Sequence, residues 1–329
     1  MPTPHTEPVI DARALRRTFG DVVAVAGIDL TVMPGEVVAV LGPNGAGKTT
    51  TIEMLLGLRS PTSGSVRVLG GDPGAQDVRA RVGAMLQDTD APESLTVTEM
   101  VALVGAYYPV HLPTDLVVER ADLSEHASKR VTQLSGGQRQ RLSFALAIVG
   151  DPDLLFLDEP TAALDVVARQ RFWTYVRAFA DLGRTIVFST HDMSEADSEA
   201  DRIIVIDRGR IIADAPPAEL KTVVAGRTVR LRTDAPLAEL SALPGVRHVG
   251  LPGRGGAPGQ AQDQAPDGTL TAVELHVGDA VEPLRALLSS GRTVTDLTVA
   301  EASLTDAFLH LTGRPAARPD AATEDLENR

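Results

Sequence analysis

Cysteine is absent from the 329-residue chain, which excludes structural disulfides, thiolate zinc sites and thiol catalysis. Lysine is scarce: Lys48, Lys129 and Lys221 are the only three. No apolar run approaches the ~18 residues that a membrane-spanning helix requires. The N-terminal Met-Pro-Thr-Pro-His-Thr-Glu-Pro lacks both the basic start and the apolar centre of a signal peptide, so the sequence reads as cytosolic. A formal net charge of -13 argues against nucleic acid as a partner, since phosphate contacts require a basic face. That acidity is otherwise the mark of a soluble surface. A hydrophobic content of 43% suits one large domain and a smaller one.

Against these absences stands Gly42-Pro43-Asn44-Gly45-Ala46-Gly47-Lys48-Thr49, which has the spacing G-x-x-x-x-G-K-[ST]. It follows an apolar strand, Val37 to Leu41, and precedes a helix-compatible run from Thr50 to Leu56. A loop of this kind points backbone N–H groups at an anion where the helix dipole also favours negative charge. Lys48 is placed to reach the β- and γ-phosphates of a nucleoside triphosphate, and Thr49 to offer a hydroxyl to Mg²⁺. Glycine is expected where a Cβ would block the loop's dihedrals or its approach to phosphate. A second carrier of chemistry is the strand Leu154-Leu155-Phe156-Leu157, which ends in Asp158-Glu159. Asp158 suits support of Mg²⁺, and Glu159 suits activation of the attacking water as general base.

Strand-like segments lie at 9–15, 28–32, 37–41, 65–69, 82–87, 154–158, 185–190 and 202–206, with helical stretches between them. Several are continuous apolar runs, as in strands buried on both faces of a parallel sheet, and the order predicts an α/β core. Residues 1–8 read as a disordered leader, and about 88–134 as a helical insert. Beyond Pro216-Pro217 the pattern changes. A linker at 216–226 leads to a small α+β domain over 227–313, with strands at 228–232 and 270–277 around a flexible, Gly- and Pro-rich loop at 252–268. Ser303 to Leu311 reads as a capped helix with Leu304, Ala307, Phe308 and Leu311 on one face. The tail, 314–329, is predicted to be disordered.

The segment Leu134-Ser135-Gly136-Gly137-Gln138 resembles, residue for residue, the signature sequence of the nucleotide-binding subunits of ATP-binding cassette (ABC) transporters. The resemblance covers about residues 9–215 and implies a P-loop NTPase core with an antiparallel β subdomain. It implies that Gly42 to Thr50 bind ATP, and that Ser135, Gly136, Gly137 and Gln138 meet the γ-phosphate of ATP held by the opposite subunit. The helix they open is expected to bury Leu142, Ala145, Leu146 and Val149. Phe19 sits where the family stacks an aromatic ring, more often tyrosine, on adenine; core packing is its alternative. Gln87 resembles the glutamine that touches Mg²⁺ and the attacking water; the alternative is a solvated strand end. Asp165 matches the loop that crosses the subunit interface, a role compatible with capping a helix. His191 resembles the switch histidine on the γ-phosphate; a plain strand-end histidine is the alternative.

Other NTPase families fail on residues. None of the three lysines has the downstream Asp of a GTPase base-reading motif, and the G-x-G-x-x-G fingerprint is not met. The closing stretch Glu301 to Gly313 is similar to that of daunorubicin/doxorubicin-resistance-type cassettes. This implies a homodimer around two ATP that drives separate ABC-2-type permease subunits from the cytoplasmic face of the membrane, exporting a drug, antibiotic or lipid-like substrate. The rival reading is a soluble, non-transport cassette ATPase that regulates or remodels a protein or ribonucleoprotein. The insert between Gln87 and Ser135 is shorter than the family's, and Tyr107 and Tyr108 are candidates for permease docking or for core packing.

Overall fold

The computed structural model describes residues 7–86, 92, 94–162, 164–223, 227–251, 270–301 and 303–312. It divides into two units, Met1–Pro217 and Ala218–Arg329. The first opens with β1 (Ile10–Phe19), β2 (Val22–Val32), β3 (Val37–Leu41), α1 (Lys48–Leu55), β4 (Ser63–Val68), α2 (Gln76–Arg79) and β5 (Val82–Met85). Helices α3 (Val97–Gly105), α4 (Thr114–Arg120) and α5 (Gly136–Ile148) follow. The unit closes through β6 (Leu154–Asp158), α6 (Val166–Ala180), β7 (Thr185–Thr190), α7 (Met193–Glu199), β8 (Arg202–Asp207) and β9 (Arg210–Ala215).

Two sheets form this unit. One has six strands in the order β5-β6-β7-β3-β8-β9, parallel except for β9. The other is antiparallel, in the order β2-β1-β4. Strands β3, β6 and β7 are buried along their whole length, as the apolar runs of β3 and β6 predict for a sheet covered on both faces; β7 also buries Thr185, Ser189 and Thr190. One apolar cluster joins Ile10, Val25 and Val32 of the antiparallel sheet to Val40 and Phe156 of the parallel one and to Ile52 of α1. The carboxyl ends of β3, β6 and β7 therefore emerge side by side, where open α/β sheets bind ligands.

Helix α5 is buried more widely than one amphipathic stripe. Leu142, Ala145 and Val149 are buried as expected, but so are Phe144, Ala147 and Ile148, while Leu146 is only half-buried. Phe144 packs edge-on against Phe172, which leads through Trp173 to Phe188 with ring centroids 4.7 to 5.8 Å apart. The helix is thus wedged between the insert and the sheet, and its aromatic face takes part of the load assigned to Leu146.

In the second unit, α8 (Pro217–Val223) occupies most of the stretch read as a linker. Strands β10 (Arg227–Thr233), β11 (Val246–Gly250), β12 (Thr271–Val277) and β13 (Val294–Glu301) pair antiparallel in the order β11-β12-β10-β13. Helices α9 (Leu237–Ser241), α10 (Val281–Ser289) and α11 (Leu304–Thr312) complete it. Its core gathers Val229, Leu231, Leu240, Val273, Leu275 and Leu287. At the start of α11, Ser303 Oγ accepts from the Asp306 N–H at 3.1 Å and the Ser303 N–H donates to Asp306 at 2.9 Å, the reciprocal cap that the spacing predicts. Leu304 and Ala307 are buried. The leader residues 1–6, the loop 252–268 and the tail 314–329 lie outside the described residues.

Candidate functional site

The loop between β3 and α1 is held open by packing against other strands. A Cβ on Gly42 would stand 2.2 Å from the Ile206 carbonyl oxygen, and one on Gly47 2.4 Å from that of Ala24. The close approach that demands glycine here is to neighbouring strands of the protein itself, a cause the sequence does not display. Gly47 caps α1 with no side-chain hydrogen bond, and the first turn carries no acid. Its N–H donors are thereby left for an external anion. Lys48 is buried, and its Nζ donates to the carbonyls of Gly42 at 2.7 Å and Pro43 at 3.3 Å. Burial pushes the Lys48 ammonium below its ordinary pKa, while the charges of Glu159 and Asp158 pull it back up.

Asp158 closes β6 and is buried; its Oδ1 accepts from the Ser189 hydroxyl on β7. The next residue, Glu159, has φ 51°, a left-handed backbone that costs a non-glycine residue on the order of 1–3 kcal/mol. Four hydrogen bonds hold the turn there. The Glu159 N–H donates to the Ser189 carbonyl and hydroxyl, both at 3.1 Å. Gln140 of α5 donates from Nε2 to the carbonyls of Glu159 at 3.2 Å and Pro160 at 2.8 Å. The turn that results aims the Glu159 carboxylate at His191, whose Nδ1 meets Oε2. His191 is exposed, and the Glu159 side chain is largely covered.

Together Phe19, Ala24, the loop from Gly42 to Thr50, Asp158, Glu159 and His191 line one cleft of about 860 Å³. Thirteen of the positions expected to touch nucleotide, metal or water are therefore brought together, with Ala24 added. Ser135, Gly136, Gly137, Gln138 and Asp165 do not line it. Ser135 and Gly136 are exposed at the tip of α5, where Ser135 Oγ accepts from the Gln138 N–H at 3.3 Å and the Ser135 N–H donates to Gln138 Oε1 at 3.0 Å. That second bond fixes the amide, so Gln138 Nε2 faces His126 Nε2 at 2.9 Å and the imidazole nitrogen accepts. Asp165 is exposed and caps α6 by accepting from the Ala168 N–H at 2.8 Å. Gln87 lies outside the described residues.

A family described as ABC transporter matches residues 25–162. Nod factor export ATP-binding protein I of Burkholderia lata is 38% identical over 317 residues, 93% of this chain and 97% of that protein. Daunorubicin/doxorubicin resistance ATP-binding protein DrrA of Streptomyces peucetius is 37% identical, over 98% of this chain and 97% of its own length. The chain belongs to the ATP-binding subunits of ABC transporters.

Solved structures agree on the cassette. A dimeric ATP-binding cassette in a post-hydrolysis state, bound to ADP and Pi, matches 63% of this chain and 98% of its own with a TM-score of 0.58 at 25% identity. The cbiO1 subunit from Clostridium perfringens, part of the ABC transporter complex cbiONQ, matches 66% of this chain and 93% of its own with a TM-score of 0.59 at 27% identity. As an ABC ATPase the protein binds and hydrolyses ATP. The residues that sequence reasoning missed are those that hold the predicted ones: Ser189 under Asp158, Gln140 behind Glu159, and Arg17 and Arg59 beside Phe19, with guanidinium carbons 4.8 and 5.0 Å from the ring centroid. Gln140, two residues past the signature, carried a positional signal; the arginines carried none.

Proposed function

We propose that two copies of this chain close around two ATP molecules and drive a separate ABC-2-type permease that exports a drug, antibiotic or lipid-like substrate. In this reading Phe19 stacks on adenine, and the loop N–H groups with Lys48 hold the β- and γ-phosphates. Glu159 takes a proton from the attacking water, and His191 keeps the carboxylate oriented while contacting the γ-phosphate. Ser135 and Gly137 serve the ATP of the opposite copy, with Asp165 crossing between copies and Gln87 at the attacking water. Loss of the γ-phosphate removes the anion the copies share, and they separate.

The observation that carries this reading is the position of the signature. A serine-glycine helix tip suited to phosphate stands exposed, away from the cleft that its own chain forms. A second copy supplies the phosphate it lacks. Export is supported by the name of the Burkholderia lata relative, and a drug-type substrate by the resistance named for the Streptomyces peucetius one; both similarities run through both units of this chain.

The donors also suit Mg²⁺. The Thr49 hydroxyl and Asp158 carboxylate are hard oxygens in one cleft, and magnesium beside nucleotide needs only one or two carboxylates, with waters and phosphate oxygens in place of a full protein cage. Among the described residues no group of three or more His, Cys, Asp or Glu could hold a metal ion. Thr49, Asp158 and Gln87 would hold the ion, which supplies charge neutralisation at the phosphates.

No described helix is long and apolar enough to cross a membrane, so attachment at the cytoplasmic face would run through the permease. Tyr107, 80% exposed on the insert, is the docking residue of choice; Tyr108 instead packs its ring over Gly150. The test is sedimentation of the Glu159→Gln chain with Mg-ATP. A stable dimer is expected, and one molecule enclosing nucleotide unaided overturns the composite site. Purification from membranes with an ABC-2-type permease is the expected companion result. Recovery with ribosomes or RNA would instead favour the non-transport ATPase.

A further inference from the structure

The aromatic ring at the mouth of the cleft is braced by two cations. Phe19 is 40% exposed, and the guanidinium carbons of Arg17 and Arg59 lie 4.8 and 5.0 Å from its centroid, inside the range in which a cation is attracted to a ring face. Both arginines are fixed from behind. Arg59 makes a two-point ion pair with Glu53 of α1, Nε to Oε2 at 2.6 Å and Nη2 to Oε1 at 3.1 Å. Arg17, two residues before Phe19 on β1, donates from Nη1 to the Ser60 carbonyl at 2.7 Å. Its Nε is buried without a hydrogen-bond acceptor among the described residues, and the negative face of the ring is the compensation on offer to this edge of the guanidinium.

Phenylalanine has no hydroxyl with which to anchor itself, and its orientation depends on what covers it. Here the cover ties the base end of the cleft to the phosphate end. Glu53 belongs to the helix that the phosphate loop opens, and Ser60 directly follows Arg59. A ring held in this way needs little ordering when a flat base arrives, which is where a loop-borne aromatic otherwise loses affinity.

We propose that Arg17 and Arg59 are positioning residues for the nucleobase, holding Phe19 as a platform so that the site discriminates base-bearing nucleotides from bare polyphosphate. The proposal rests on the reading of the cleft as the ATP site and adds how its base end is built. It differs from a plain charge effect in one respect. Cations that acted on the phosphates would strengthen inorganic tripolyphosphate at least as much as ATP, whereas a ring brace acts on ATP alone.

The test is calorimetric titration of the full chain with Mg-ATP and with Mg-tripolyphosphate. Changing both Arg17→Gln and Arg59→Gln is expected to weaken ATP about tenfold, two cation–π contacts at a partly exposed ring, and tripolyphosphate less than about twofold. The unchanged tripolyphosphate affinity also reports that the phosphate loop remains folded. In a Phe19→Ala background the arginine changes should have no further effect on ATP, since the groups they brace are gone. Equal weakening of both ligands, or an arginine effect that persists in full without Phe19, overturns the brace. A wild-type chain that binds tripolyphosphate but shows no preference for ATP overturns it as well. Failure of the wild-type chain to bind either ligand removes the nucleotide-site reading itself, and the brace with it.

Discussion

In the first unit β3, β6 and β7 are buried residue after residue, whereas in the second β10 and β12 alternate between covered and open positions. The first pattern needs a layer on each face of the sheet, and it delivers the ends of three neighbouring strands to one cleft. The second needs a layer on one face only, and among the described residues it delivers no comparable convergence of acids, histidine and glycine. Chemistry in this chain thus sits where the sheet is sealed on both sides. The α+β unit keeps its outer strand positions for Arg230, Glu274 and other polar groups, with Arg230 and Glu274 paired at 3.1 Å.

The contrast can be broken in order of effect. Glu159→Gln should lower turnover by about 10²–10⁴-fold while ATP binding is retained, measured by phosphate release and by nucleotide titration. Wild-type-like hydrolysis would remove Glu159 from the role of base. Ser135→Arg should leave ATP binding to a single chain intact and abolish nucleotide-dependent dimerisation; unchanged ATPase activity refutes a site completed in trans. Phe156→Ala, which hollows the cluster shared by both sheets of the first unit, should cost about 3–5 kcal/mol, and Leu275→Ala in the second about 2–5 kcal/mol. Scanning calorimetry with saturating Mg-ATP should raise the transition that Phe156→Ala lowers and leave the one that Leu275→Ala lowers. A shift of both transitions by nucleotide would show that the two cores do not respond separately.

The smallest effect concerns the cap of α7. Burial pushes the Asp192 carboxyl up, but hydrogen bonds from the Ser194 hydroxyl and N–H, the Glu195 N–H and the charge of Arg169 outweigh it and leave the pKa below the ordinary 3.8. A depressed carboxylate stabilises the fold above its unfolded pKa and loses that contribution as pH falls through the folded value. Asp192→Ala should therefore cost about 1 kcal/mol at pH 7 by urea unfolding. The gap from wild type should narrow below pH 3.8. A constant gap down to acid pH would assign the effect to packing.

What the sequence disclosed follows the same division. The buried strands β3 and β6 announce themselves as apolar runs, with Asp158 and Glu159 at the end of β6, Lys48 opening α1 beyond β3 and His191 just after β7, so fold and chemistry of the first unit were readable together. Strands β9, β11 and β13 were not. β9 mixes Arg210 and Asp214 into an edge position, β11 has a register irregularity between Val246 and His248, and β13 is broken by Asp296 at φ 51°. None keeps a clean alternation long enough to register. The contacts that hold the site were hidden for a different reason. Arg59 and Phe19 are 40 residues apart in the chain, and no local pattern records that they meet.

The two glycines jammed against the carbonyls of Ile206 and Ala24 bear on how variants of this protein should be interpreted. A side chain introduced at either place collides with β8 or β2 before any nucleotide is present. An inactive Gly42 or Gly47 substitution therefore reports a misfolded subunit, and it says nothing about phosphate affinity until solubility and melting have been checked.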